Sequence, residues 1–448
     1  MTIIKHIFNY TPLQHHSPIF KKYYILFKLL DKIINSTKSQ LYYHSNIGRK
    51  PYSRIAIFKA FIIKHLEGFK FTTDLIQFLK NNPEIASLCG FHFSIPDLSI
   101  FYRFLNNSML YKKLYPIFVN IVLSLFHHKI ISPTILAADS KPVKAYTKFN
   151  NTKFFNPASR KSSHDLCKKS NRNYQATLSF FSKNLDDNKN SFFWGYRIHV
   201  IATSEGIPIA FEVAKNNIPD HKVAKKLIKK IKKHYKNIHF KILLADSAYD
   251  TNNFYNYTFN ELNAIPLTPK NKRNSNSKHN NNNSIICPAG LKMKFNGFVR
   301  EPHRCRMKFR CPIKTANKKE AKNLPHTCPI CHPKFTKGKK YGCTKYIDPN
   351  SFLRNHIHSS CSHLFKLIYP KRKAVELSFS TLQNLNIENP THFYLNSIRN
   401  FICISYIAQC LIALAACVVL NDPSAIRKYK HFAKNAPPLD KLKFNLAA

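Results

Sequence analysis

The chain has 448 residues, room for about three domains of ordinary size and for a core that needs no disulfide staples. Hydrophobic residues make up 44 % and aromatic residues 13 %, which excludes a disordered tail protein. Lys and Arg number 71 against 22 Asp and Glu, a net charge of +49, and 56 of the cations are Lys. That charge excludes an ordinary metabolic enzyme as the default. It implies a polyanionic partner, either nucleic acid or an anionic membrane. Compositional bias toward Lys, Asn, Ile and Phe inflates the Lys count but does not explain why acids are so few.

The opening residues, MTIIKHIFNYTPLQHHSP, lack the apolar core and small-residue cleavage site of a secretory signal. The 12 Cys are therefore expected as reduced thiols in a cytoplasmic chain, some of them on a metal. Residues 1–48 are basic and aromatic, with a weak helical pattern over Phe20–Ser36. Residues 49–125 read as a helical domain, placed here as DNA-binding. Ile55, Phe58, Phe61, Ile62 and Leu66 share one helix face, and Gly68 ends the run. Thr72 or Thr73 is expected to cap a second helix over Leu75, Phe78 and Leu79. Pro96-Asp97 opens a third, with Ile100, Phe101, Phe104 and Leu105 inward and Arg103 outward.

From residue 130 the grammar changes. Thr134 to Ala138 reads as a buried strand with Asp139 at its end, followed over roughly 141–190 by a polar, basic stretch that reads as an inserted loop or a DNA-facing segment. A hairpin comes next, with Tyr196, Ile198 and Val200 on one strand, Glu205-Gly206 at the turn, and Ile207 to Val213 returning. Asp220 is the expected N-cap of a helix whose apolar stripe is Val223, Leu227, Ile228 and Ile231 and whose outer face is almost all Lys. Phe240 to Ala245 reads as another buried strand, ending in Asp246, before a helix near 253–263 and a strand at 264–267. Asp246 alternatively caps a following helix. Residues 270–368 interrupt the pattern with a low-complexity run and a Cys-bearing stretch. After Pro370 a helix resumes with Val375, Phe379, Leu382 and Leu385 inward. Phe401 to Leu420 is long and apolar enough to span a membrane, but Ser405, Tyr406 and Gln409 and its late position favour a buried core helix. Residues 421–448 form a basic tail.

Without the insert the order is strand, strand, strand, helix, strand, helix, strand, helix. The fold class expected is α/β: an RNase H-like mixed sheet with flanking helices, interrupted by the Cys-bearing insert and preceded by the all-α domain. The catalytic domain then has two parts, 130–269 and 369–420.

Phosphodiester chemistry needs a neutralised phosphate and an activated oxygen, and two Mg²⁺ ions held roughly 4 Å apart by carboxylates supply both. Asp139 and Asp246 at strand ends and Glu376 on the late helix are the candidate ligands, with Mn²⁺ as a substitute metal. Once a helix begins near Pro370, Tyr369, Arg372, Glu376 and Gln383 fall on one helix face, edged by the apolar row.

These residues resemble the DDE transposases of bacterial insertion sequences, in particular the group with a Y-(2)-R-(3)-E-(6)-K signature. Here the signature reads Tyr369, Arg372, Glu376 and Gln383, with Gln in place of the final Lys. AADSKPV resembles the family's first-Asp segment, WGYRIHVIATSEGIPIAFEV the hairpin after it, and LLADSAYD the second-Asp segment. CPAGLKMKFNG to KFRCP resembles a Cys-bearing insert of a subset of the family, and GRKPYSRIAIFKAFIIKHLEG to PDLSIFYRFL its N-terminal helical domain. The resemblance covers roughly residues 45–420. It implies Asp139, Asp246 and Glu376 as metal ligands and Tyr369, Arg372 and Gln383 as DNA contacts. It further implies cleavage at the element's ends to free a 3′-hydroxyl, attack of that hydroxyl on target DNA, and a homodimer in the synaptic complex. The rival readings are a nuclease of the same fold without strand transfer and an inactive or domesticated DNA-binding protein. Within the insert, Cys305, Cys311, Cys328 and Cys331, flanked by Cys287, Cys343 and Cys361, are candidate ligands for a structural Zn²⁺, with His326 and His332 as substitutes and plain thiols or disulfides as the alternatives.

Overall fold

The structure is a computed structural model; it describes residues 17–37, 41, 52–146, 176–181, 191–269, 285–301, 304–336, 341–347, 363–383, 387, 390–428, 432 and 438–444. In chain order these form α1 (Pro18–Ser36), α2 (Arg54–Leu66), α3 (Thr72–Asn81), α4 (Pro83–Cys89), α5 (Leu98–Asn106) and α6 (Leu110–His127). Then come β1 (Ile135–Lys144), β2 (Thr177–Phe181), β3 (Ser191–Thr203), β4 (Pro208–Lys215), α7 (Asp220–His234), β5 (Ile242–Leu244), α8 (Asn252–Leu262) and β6 (Ile265–Leu267). The Cys-bearing stretch holds β7 (Lys294–Glu301), β8 (Arg304–Arg310), three one-turn helices, α9 (Pro312–Thr315), α10 (Lys318–Ala321) and α11 (Pro333–Thr336), and β9 (Thr344–Ile347). The chain continues with α12 (His363–Ile368), α13 (Lys373–Gln383) and α14 (Leu395–Val418). The low-complexity run at 270–284 lies outside the described residues.

The chain divides into two compact units, residues 1–238 with 373–448, and residues 239–372. In the first unit β3 is the central ribbon. β1 runs antiparallel along one edge, and β4 and β2 follow one another along the other. Asn216, just past β4, ties that second edge together: its backbone N–H donates to Thr177 Oγ1 at 2.8 Å and its amide to Thr177 O at 3.0 Å. Gly195 is required where β1 crosses β3, since a Cβ there would lie 2.1 Å from Val143 O. The β3–β4 turn places Gly206 at φ +80°, a conformation that glycine adopts without penalty.

Around this ribbon the helices bury their apolar faces. α7 packs on β3 and β4, α13 on β1 and β3, and α14 on α1, α2, α5, α6 and β4. The core centres on Phe211 of β4, whose ring lies 4.7 Å from Tyr406 and 5.2 Å from Phe118. α14 is apolar and long enough to cross a membrane, yet 89 % of its most apolar window is buried inside the protein. Two of its polar side chains bond within the fold. Asn400 donates to Leu105 O at 2.7 Å and Asn107 O at 2.9 Å, and Ser405 pairs with the His65 imidazole at 3.0 Å.

The helix starts differ from expectation in two places. α3 is capped from Phe71, whose N–H donates to Asp74 Oδ2 at 3.1 Å, and Thr72 lies inside the helix, fully buried. Pro219 is the N-cap of α7, and Asp220 is its first residue with its carboxylate directed elsewhere.

In the second unit β5 and β6 pair in parallel, Ile242 opposite Ile265 and Leu244 opposite Leu267. β7, β8 and β9 form an antiparallel sheet beside a small core of Cys287, Met293, Cys311 and Cys343. Phe309, Ile313 and Phe335 cover that core. α12 leads into a 3₁₀ turn, Tyr369–Arg372, and the Phe365 and Tyr369 rings stack at 4.7 Å.

Candidate active site

Asp139 does not end its strand. β1 continues to Lys144 because β3 is long enough to pair with all of it, Asp139 opposite Val200 and Lys144 opposite Gly195. The carboxylate is half-buried, and its Oδ1 accepts the Ser140 N–H at 2.8 Å. Strand alternation turns Asp139 and Ser140 to opposite faces of the sheet.

Each face has its own helix. On the side of Asp139, Lys141 reaches α13, its ammonium 5.9 Å from the centre of the Phe379 ring. α13 runs beside β1 with Ala374, Val375, Ser378 and Phe379 buried and Glu376 exposed. Glu376 is thus carried by a helix clamped to the strand that carries Asp139. On the other side, Ser140 Oγ donates to Asp220 Oδ2 of α7 at 3.3 Å. Arg197 donates to Ser140 Oγ at 3.3 Å and lies 3.6 Å from Asp220 Oδ2. His199, fully buried opposite Ser140, is pushed down to about 3, first by burial and then by the Arg197 charge. It is therefore neutral at physiological pH; Nδ1 lies 3.8 Å from Asp220 Oδ1, and among the described residues neither ring nitrogen makes a hydrogen bond. This Ser140–Arg197–Asp220 set was not singled out from the sequence. The signal in the sequence is a lone acid opening a Lys-rich helix, which reads equally as a cap.

Asp246 lies in the second unit, just past β5. It is the N-cap of the 3₁₀ turn Ser247–Tyr249, with Oδ1 accepting the Ala248 N–H at 2.9 Å. The capping alternative raised from the sequence is thus realised, and one carboxylate oxygen is oriented by it. Tyr369 and Arg372 occupy a 3₁₀ turn before α13, so they do not share an α-helical face with Glu376. The helix begins at Lys373 rather than near Pro370. Gln383 ends α13, and its side chain lies outside the described ones.

Of the four cysteines expected on zinc, three have described side chains, and two of those are brought together. Cys311 and Cys328 line one small cavity, where they are joined by Cys287 and Cys343 rather than by Cys331, which is exposed. Cys305 sits in β8, and its side chain lies outside the described ones. Burial, with Cys311 and Cys287 alongside, pushes the Cys343 thiol up to about 12, as suits a protonated core thiol. Among the described residues no group of three or more His, Cys, Asp or Glu side chains is gathered to hold a metal ion.

Residues 131–411, more than half of the chain, match the family model described as Transposase DDE domain. Residues 10–107 match a second model, described as Transposase domain. No curated protein matches the chain. A cryo-EM structure of the piggyBac transposase synaptic complex with hairpin DNA aligns at 10 % identity over 95 % of this chain and 84 % of that one, with a TM-score of 0.35. A score that low carries no argument here.

Proposed function

The chain belongs to the transposase DDE family, and on that premise we propose that Asp139, Asp246 and Glu376 are the carboxylates of its DNA-cleaving centre. Its substrate is DNA, its class is that of enzymes that cleave and transfer DNA strands, and the family uses divalent metal ions. The finer reading is cleavage at the ends of an insertion element followed by attack of the freed 3′-hydroxyl on target DNA, with two Mg²⁺ ions as cofactor and a homodimer holding the ends. The Y-R-E-K group, with Gln383 in the last place, is part of the same proposal.

The observation that carries it is the clamp between α13 and β1. A half-buried aspartate in a fully paired strand and an exposed glutamate on the helix packed along that strand are hard oxygen donors of the kind Mg²⁺ prefers. When bound, the metal neutralises phosphate charge and lowers the pKa of the attacking oxygen's proton. The chain's own part is to hold the donors. The β1–β3 ladder fixes the backbone of Asp139, the Ser140 N–H orients its Oδ1, and the Ala248 N–H orients Oδ1 of Asp246. Tyr369 and Arg372 are proposed to steady the DNA backbone next to the cleaved bond, and no protein nucleophile is needed.

The test is cleavage of a plasmid that carries the element's own ends, with Mg²⁺ present. The wild-type chain should cut at the ends and Glu376→Gln should not. Chelation should stop the reaction, and Mg²⁺ or Mn²⁺ should restore it. Equal cutting by both proteins would remove Glu376 from the centre. End-specific binding without cutting by either would move the reading to an inactive DNA-binding copy.

A further inference from the structure

We propose that the outward face of α7 is a second DNA-binding surface, one that holds double-stranded DNA by its phosphates on the sheet face opposite Asp139. The inference rests on DNA being the substrate of this family. Seven of the 15 residues of α7 are Lys, whereas the chain's average of one Lys in eight would give about two. Bias in the whole chain does not produce that concentration. Lys222, Lys226, Lys229 and Lys233 are exposed and follow one another at steps of four, three and four residues, which aligns them in a single row. The row is roughly 16 Å long at 1.5 Å per residue. Its Lys stand about 5–6 Å apart, so flexible stems can meet successive phosphates of one strand.

Among the described residues no acid is paired with the row. The only acid of the helix, Asp220, is turned inward to Ser140 and Arg197. Like charges three and four residues apart destabilise a helix, so an external polyanion would relieve a cost that the fold itself leaves in place. The charges are felt nearby: after burial, Lys233 and Lys230 hold His234 below its ordinary value. Lys230 itself is spent inside, donating to Glu212 Oε2 at 2.6 Å and to Phe211 O at 2.9 Å. Because α7 reaches the sheet on the face of Ser140, and α13 on the face of Asp139, duplex on this row is a segment other than the one being cut. The mode is backbone contact without base readout.

The test uses the full chain carrying K222Q, K226Q, K229Q and K233Q together, and a matching quadruple Lys→Arg variant. Fluorescence anisotropy with a random-sequence duplex between 50 and 300 mM KCl reads the slope of log affinity against log salt. Each phosphate contact contributes about 0.9 to that slope, so the Gln variant should be shallower by about 3–4 while the Arg variant keeps the wild-type slope. A change of less than one unit in the Gln variant, or an equal change in the Arg variant, overturns the proposal. Should the Gln variant fail to fold, p-benzoylphenylalanine at position 229 must crosslink to the duplex on irradiation, and no crosslink overturns the proposal. Plasmid cleavage at saturating protein and low salt separates the two claims. It should survive the Gln substitutions, and its absence in the wild type would sink the catalytic reading without touching the slopes.

Discussion

The tripeptide Ala-Asp-Ser occurs at 138–140 and again at 245–247, each time after a run of buried apolar residues, and the two copies adopt different structures. At 138–140 it is mid-strand. Asp139 lies opposite Val200, and Ser140 is tied to Arg197 and Asp220. At 245–247 the strand is over, Asp246 caps a 3₁₀ turn, and Ser247 is exposed. What differs is the partner. β3 offers β1 backbone groups as far as Gly195, so the polar residues after Asp139 stay extended. The β5–β6 ladder is short, the Ala245 N–H still donates to Leu267 O at 3.1 Å, and the chain then turns with Asp246 Oδ1 accepting the Ala248 N–H. Identical local sequence thus takes a different backbone in each of its two settings.

The strongest way to break that contrast is catalytic. If both aspartates hold metal, the difference in setting should not matter, and Asp139→Asn and Asp246→Asn should each lower plasmid cleavage by about 10³-fold, the several kcal/mol that metal charge stabilisation supplies. A variant that cuts normally is not a ligand. Acid should separate the two regions. His199 has a folded pKa of about 3 against 6.5 unfolded, so the folded state binds fewer protons as pH falls below 6.5, and stability is lost progressively toward pH 3. That amounts to about 2–3 kcal/mol at pH 4.5. Thermal melts of His199→Gln should show a shallower pH dependence than wild type over that window, and equal slopes would mean that the ring is not held neutral. Among the serines, Ser140→Ala should cost about 1–2 kcal/mol through its bonds to charged partners, while Ser247→Ala should stay within about 0.5 kcal/mol. Asp246→Ala should lose about 1 kcal/mol of capping that Asp246→Asn retains, measured by denaturant midpoint.

Much of this architecture is legible in the residues. The hairpin around Gly206, the apolar stripe of α7 and the burial of α14 follow from alternation and periodicity, because each buries a face whose spacing is set by its own geometry. Less legible is anything decided by a partner far along the chain. The extension of β1 through Ser140-Lys141-Pro142 reads as polar loop, since half its residues face helices and an ion pair rather than solvent. β2, a five-residue strand, is held by pairing to the first five residues of β3 rather than by its own pattern. The start of α13 at Lys373 is obscured because the 3₁₀ turn before it shares helical spacing over a few residues. The carboxylates themselves are visible because acids are scarce here, whereas the roles of Ser140 and Asp220 depend on a contact between positions 80 residues apart.

α14 also bears on how the protein is made. A segment that apolar, emerging from a ribosome, is a substrate for the machinery that inserts membrane helices, and every hour spent uncovered would invite aggregation. Its partners α1, α2, α5, α6 and β4 precede it in the chain, and the short turn Pro423–Ala425 that also packs on it follows directly. When α14 is synthesised, the surfaces that cover it already exist, and burial needs only docking onto a waiting cleft. The order of elements along the gene therefore works as a schedule that shortens the exposure of the most lipid-like stretch of the protein.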